Sequence, residues 1–148
     1  QVEGLETFVS KGCTGCHAGL NFGGQGYFAF GVVQAPSDEI RPPGDLGRFA
    51  VTSTAADEYV FKSPSLRNIE LTAPYFHSGK VWGLQEAVAV MGSAQLGAVL
   101  TPEETGAITL FLESLTGTQP QVEYPILPPH TADTPLPDVS VPTAAAPH

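Results

Sequence analysis

Residues 13–17 read Cys-Thr-Gly-Cys-His, and the 148-residue chain has no other cysteine. This spacing limits the possible folds more than any bulk property does. Two thiols three positions apart on a tight turn can add to the two vinyl groups of one porphyrin. The histidine that follows then faces the iron from the proximal side, and C-x-x-C-H reads as c-type haem attachment. Covalent linkage keeps such a group in place even where a small domain covers it incompletely. Two plainer readings compete: a redox-active disulfide and half of a zinc site. Zinc needs a second Cys or His pair, and no third cysteine exists; a thioredoxin-like protein needs a βαβ pattern, which is absent. The motif therefore favours one covalent haem c on Cys13 and Cys16, with His17 as an axial iron ligand.

A c-type iron usually takes a second axial ligand, and methionine is the one that raises its potential. The chain has a single methionine, Met91. A lone methionine is more often core filler, but an iron in need of a partner shifts the weight toward it. The rivals are His77, His130 and His148. The last two fall in a proline-rich tail and are poor candidates, whereas His77, in the segment APYFHSG, stays open as an alternative.

A domain that wraps a cofactor accounts for the rest of the pattern. Hydrophobic residues make up 42% of the chain, enough for a modest core. Its 16 glycines and 14 prolines point to long irregular stretches and short helices. Residues 1–12 read as a short helix with Leu5, Phe8 and Val9 on one face, ended by Gly12. Residues 18–50 are rich in glycine, with 7 of the 16, and show no period, as expected of a loop folded around a bound group. Residues 64–69 suggest one or two helical turns. Residues 83–91 form a better helix, with Leu84, Ala87, Val88 and Met91 on one face. The last helix is the clearest: Thr101 as N-cap, Pro102 at N1 and Glu104 completing a capping box. Its stripe is Ile108, Phe111, Leu112 and Leu115, with Gly117 placed as C′. Residues 1–117 thus form one domain, followed by an extension, 118–148, with 8 prolines, packed on the surface or partly mobile.

The formal charge of −9, from 6 basic and 15 acidic residues, leaves no basic face for nucleic acid. It suits a basic or locally basic protein partner. No apolar run is long enough to span a bilayer. No signal peptide is evident, and Gln1 reads either as a mature N-terminus after cleavage or as a cut in a longer chain.

Several long segments resemble a known family. The strings GCTGCHAGLNFGGQGYFAFG (12–31), DLGRFAVTSTAADEYVFK (45–62), FKSPSLRNIELTAPYFHSGKVWGLQEAVAVMGSAQLG (61–97) and FLESLTGTQPQVEYPILPP (111–129) are similar to the second haem domain of bacterial di-haem cytochrome c peroxidases, relatives of the MauG enzymes. The resemblance implies a high-potential, electron-transferring haem with His and Met ligands, the family methionine falling on Met91. It also implies that peroxide chemistry belongs to a preceding haem domain, which this sequence does not contain. In the family a calcium ion lies between the domains, and the backbone carbonyls that hold it map onto Thr72 and Pro74.

Among other residues, Arg67, and less so Arg48, are candidates to pair with haem propionates through their guanidinium forks. Pro64 and Leu66 are expected against the ring, and the dense aromatics as its lining. Asp57, Glu58, Glu103 and Glu104 read as solvated helix-start charges. The expected fold is an all-α cytochrome c fold around one haem. The expected function is single-electron transfer in the periplasm, with a small cytochrome or cupredoxin as partner. The chain serves either as the electron-input domain of a di-haem peroxidase or as a free-standing monohaem carrier. A gas sensor with an open iron position is a third reading and requires that Met91 not be bound.

Overall fold

The computed structural model describes residues 1–129, 131 and 133–135; His130 and His148, rival ligands by sequence, lie outside them. The chain divides into two units, Gln1–Thr118 and Gln119–His148. In the second, the described residues form no helix or strand, and Thr131 and Thr134 close a short turn (Thr134 N–H to Thr131 O, 3.1 Å).

The first unit contains four helices: α1 (Val2–Ser10), α2 (Phe49–Thr52), α3 (Leu84–Leu96) and α4 (Pro102–Glu113). Helix α4 begins as expected. Thr101 Oγ1 accepts from the Glu104 N–H at 3.2 Å, and Glu104 Oε2 accepts from the Thr101 N–H at 3.0 Å. Each bond satisfies a donor that the helix start would otherwise leave free. Ile108, Phe111 and Leu112 are buried, and Leu115 packs against them. The helix ends at Ser114 in right-handed geometry, so Gly117 is not its C′ residue; the Gly117 N–H instead donates to Asn68 Oδ1 at 2.8 Å.

Helix α1 forms where expected but turns a different face inward. Gly4 and Phe8 are buried, while Leu5 and Val9 stay 40% and 51% exposed. The cause is the close approach of α1 to α4. A Cβ at Gly4 would lie 1.9 Å from the Ala107 carbonyl oxygen, so the missing side chain sets the contact line. Helix α3 runs past Met91 to Leu96, where Gly97, at φ 63°, ends it in left-handed geometry. Met91 therefore sits inside a helix rather than at its end. The helical turn expected at 64–69 shrinks to a 3-10 turn at Ile69–Leu71.

The expected all-α cytochrome c fold is not what forms. Strand β1 (Tyr27–Ala29) pairs antiparallel with β2 (Val60–Lys62), Phe28 opposite Phe61. Each strand has three residues, too few for an alternating pattern to stand out, and the partners lie far apart in the sequence, on either side of α2. Their aromatic and β-branched side chains nevertheless suit a pleated, half-buried ribbon. Asp57 also departs from expectation. It is 7% exposed and paired with Arg48 rather than solvated.

Two apolar clusters anchor this unit. One joins Phe8, Leu66, Val88, Ile108, Phe111 and Leu112. The other joins Tyr75, Val81 and Ala87.

Candidate functional site

A cavity of about 500 Å³ opens among α1, α3, α4 and the strand-bearing loops, in the size range of cofactor pockets. Its lining is mainly apolar. It includes no Asp or Glu, and Lys62 is the only Lys or Arg among the described residues that lines it.

The sequence motif enters through a tight turn. Gly12, at φ 92°, swings the chain out of α1. The 3-10 turn Cys13–Gly15 follows, and the His17 N–H bonds the Cys13 carbonyl at 3.0 Å. Cys13, Cys16 and His17 all line the cavity, and both cysteines are free thiols. Burial pushes both thiols up; at Cys13 its own backbone amide opposes this and the neighbouring Cys16 adds to it.

His17 is oriented from behind. Its Nδ1 lies 3.3 Å from the Phe22 carbonyl. A carbonyl can only accept, so Nδ1 carries the proton and Nε2 is left with a free lone pair. Ser63 Oγ donates to the Cys16 carbonyl at 3.1 Å and sits 3.4 Å from the same ring nitrogen. Burial lowers the His17 pKa, partly offset by the Phe22 and Pro64 carbonyls, so the ring is neutral at pH 7. Gly23 makes this packing possible. It holds φ 120°, and a Cβ there would meet the Pro64 carbonyl oxygen at 2.2 Å and His17 Nδ1 at 3.1 Å.

Met91 reaches the same cavity from α3, with Val88 one turn before it and Gln95 one turn after. The four residues singled out for haem attachment and ligation are thus gathered in one place. His77 lines the cavity as well, but its ring is stacked on Phe61 (centroids 3.9 Å, 12° between planes) and meets Phe30 edge-on at 5.7 Å. Burial lowers its pKa; Asp45, whose Oδ2 lies 3.8 Å from Nε2, opposes the shift and Arg41 adds to it.

Thr72 and Pro74 also lie in the cavity wall. Arg67 and Arg48 do not. Arg67 Nε donates to the Leu20 carbonyl at 3.0 Å, with the guanidinium 5.7 Å from the Phe22 ring centroid. Arg48 is committed to Asp57. Three polar residues of the site went unnoticed in the sequence: Ser63, Lys62 and Gln95. Only Gln95 carried a signal, its position four residues after Met91 on the same helical face.

No family model matches the chain. It is 57% identical over 137 residues, 93% of its length, to the cytochrome c551 peroxidase of Pseudomonas aeruginosa. It is 45% identical over 135 residues to the cytochrome c551 peroxidase of Nitrosomonas europaea. The methylamine utilization protein MauG of Methylorubrum extorquens is 28% identical over 138 residues, 84% of the chain. The chain spans 40% of the length of the two peroxidases and 37% of that MauG. Among solved structures, a MauG-like protein associated with microbial copper homeostasis shares the fold. Its TM-score is 0.64 at 24% identity, over 78% of this chain and 43% of that one.

Proposed function

We propose, for a chain that belongs to the family of bacterial cytochrome c peroxidases and MauG proteins, that it is the electron-transferring haem domain of a di-haem peroxidase. In this reading it holds one haem c through Cys13 and Cys16, with His17 and Met91 as axial ligands. Membership in the family gives the chain a haem-based redox role and implies a c-type haem. The observation that carries the finer reading is the convergence of both thiols, a His17 ring with Nε2 free, and the single methionine on one apolar cavity.

That donor set fits the group. When bound, the haem supplies a one-electron ferric–ferrous couple. The Phe22 carbonyl fixes the His17 tautomer and makes the imidazole a better donor. Met91, as a thioether, favours the reduced state and so a high potential. Phe28, Phe30, Phe61 and the α3–α4 side chains give the site an apolar wall. Peroxide chemistry needs an open coordination position and a nearby acid–base group. In this reading His17 and Met91 would leave the iron no open position, no carboxylic acid among the described residues lines the cavity, and His77 is stacked on Phe61 and edge-on to Phe30. Peroxide reduction is therefore assigned to a different domain.

For calcium, the family resemblance draws only the Thr72 and Pro74 carbonyls from this chain, so a site would need further oxygens from elsewhere. The carbonyls of Thr72 and Pro74 fall short of the roughly six to eight oxygens the ion takes. Nor do three or more His, Cys, Asp or Glu cluster around a metal position among the described residues. The charge of −9 suits a basic face on a small redox protein such as a cytochrome or cupredoxin, and haem c maturation suits the periplasm. No helix among the described residues is long and apolar enough to cross a membrane.

The test is acid-denatured mass spectrometry with a near-infrared spectrum of the oxidised protein. The expected result is one covalent haem and a sulfur-to-ferric-iron band that Met91→Ala abolishes along with a fall in potential. A mass without haem, or a band that survives the substitution, overturns the reading.

A further inference from the structure

Gln95 makes three hydrogen bonds from one side chain, all to a distant stretch of backbone. Its Oε1 accepts from the Gly31 N–H at 2.7 Å and from the Val32 N–H at 3.2 Å. Its Nε2 donates to the Ala29 carbonyl at 3.0 Å. A primary amide has two donors and one carbonyl oxygen, so most of its capacity is spent on residues 29–32. This stretch leads straight out of β1. Gly31 holds φ 90°, and a Cβ there would crowd Ala35, Pro36 and Arg41. The amide supplies both an acceptor and a donor to a backbone that has left the strand ladder, at a half-buried Gly31 and an exposed Val32.

The same stretch is tied to α3 a second time. The Val33 and Gln34 N–H groups both donate to the Ala94 carbonyl, at 3.0 and 3.2 Å. Ala94 lies in the last turn of α3, where carbonyls lack partners within the helix. Together these bonds fasten the C-terminal half of α3 to the loop wall that carries Phe28 and Phe30. Met91 lies one turn before Gln95 on the same face, and both line the cavity.

We infer that Gln95 is the positioning residue for Met91: by clamping α3 to residues 29–32 it sets how far the thioether stands from the opposite wall, and so whether it stays on the iron. The inference rests on the reading of Met91 as axial ligand. A methionine–iron bond is weak and is lost by small displacements of its helix. The Ala94 carbonyl holds this turn through the backbone, and the Gln95 amide adds three side-chain bonds on the face that carries Met91. Gln95→Glu keeps the two acceptor bonds and removes the donor to Ala29. Gln95→Met keeps length and apolar packing and removes all three.

The experiment compares three oxidised holoproteins, wild type, Gln95→Glu and Gln95→Met. It measures thermal loss of the near-infrared band, far-ultraviolet circular dichroism, potential, and exchange of the Gly31 and Val32 amides. In Gln95→Met the part-buried Gly31 amide should exchange about tenfold faster, and the exposed Val32 amide should change less. The band should vanish well below the temperature at which the helices melt, and the potential should fall. Gln95→Glu should restore most of the amide protection and part of the band's stability. If the band in Gln95→Met disappears only together with the helical signal, and the potential is unchanged, the clamp is refuted while Met91 stands as ligand. If the wild type shows no band, the ligand assignment itself fails and the clamp falls with it.

Discussion

On the helical side of the cavity, Phe8 from α1, Val88 from α3 and Ile108, Phe111 and Leu112 from α4 pack on one another with little polar contact. The Phe8 and Phe111 rings lie 5.4 Å apart, tilted by 56°. On the loop side, the backbone is irregular and its polar groups are met by side chains instead. Arg41 Nη1 donates to the Phe30 carbonyl at 2.8 Å, Arg67 Nε to the Leu20 carbonyl and Gln95 Nε2 to the Ala29 carbonyl. Ser63 supports Cys16, and Asp57 gathers both Arg48 and Thr52. Helices satisfy their own backbone and so can spend side chains on apolar burial, at about 25 cal/mol per Å². A loop of this length must recruit side chains for its carbonyls and amides. The basic residues follow from that need. Lys11 bridges α1 to Glu104 of α4 at 2.6 Å, while Arg41, Arg48 and Arg67 are all spent inside the loop region.

If the helical side is held by packing, its largest loss should come from a cavity. Phe111→Ala should destabilise the holoprotein by about 3–5 kcal/mol, read from chemical denaturation followed by circular dichroism. A cost below about 1 kcal/mol would mean that the covalent haem, and not the α1–α4 contact, organises these helices.

A smaller effect is expected where the loop side is sterically tight. Gly23→Ala forces a side chain into positive φ and against the Pro64 carbonyl, a strain of about 1–3 kcal/mol. Because the same Cβ approaches His17 Nδ1, the haem spectrum should change together with stability. A variant with wild-type stability and spectrum would show that the loop yields freely, erasing the contrast between the two sides.

The smallest effect belongs to Asp57. The Arg48 guanidinium, and after it the Thr52 hydroxyl, hold its carboxyl below the usual aspartate range. A depressed folded-state pKa stabilises the fold above the unfolded value of about 4. That contribution is lost as pH falls through the lower, folded-state value. Asp57→Asn should therefore flatten part of the acid limb of stability below about pH 4 and leave its slope near neutrality unchanged. An acid limb identical to wild type would remove Asp57 from the forces that hold the loop side.

What could be read directly from the chain was local. The C-x-x-C-H motif spans five positions, and its chemistry depends on their spacing on one turn. The α4 start was legible because the Thr101–Glu104 box closes within three residues. Met91 stood out because it is the only methionine. The α1 face was misjudged for a different reason. Periodicity reports which residues are apolar, but the decisive feature was an absent side chain at Gly4, which matters only once α4 is beside it.

The rest was decided by tertiary structure. The pairing of β1 with β2, the burial of Asp57 and the attachment of Gln95 to residues 29–32 all require the loop to be folded already. Strands of three residues carry too little pattern to be read alone, and Gln95 meets Gly31 from 64 positions away. A hydrogen bond within one turn is fixed by residue type and spacing. One across such a distance exists only because burial has brought two segments together and left their polar groups no water to bond.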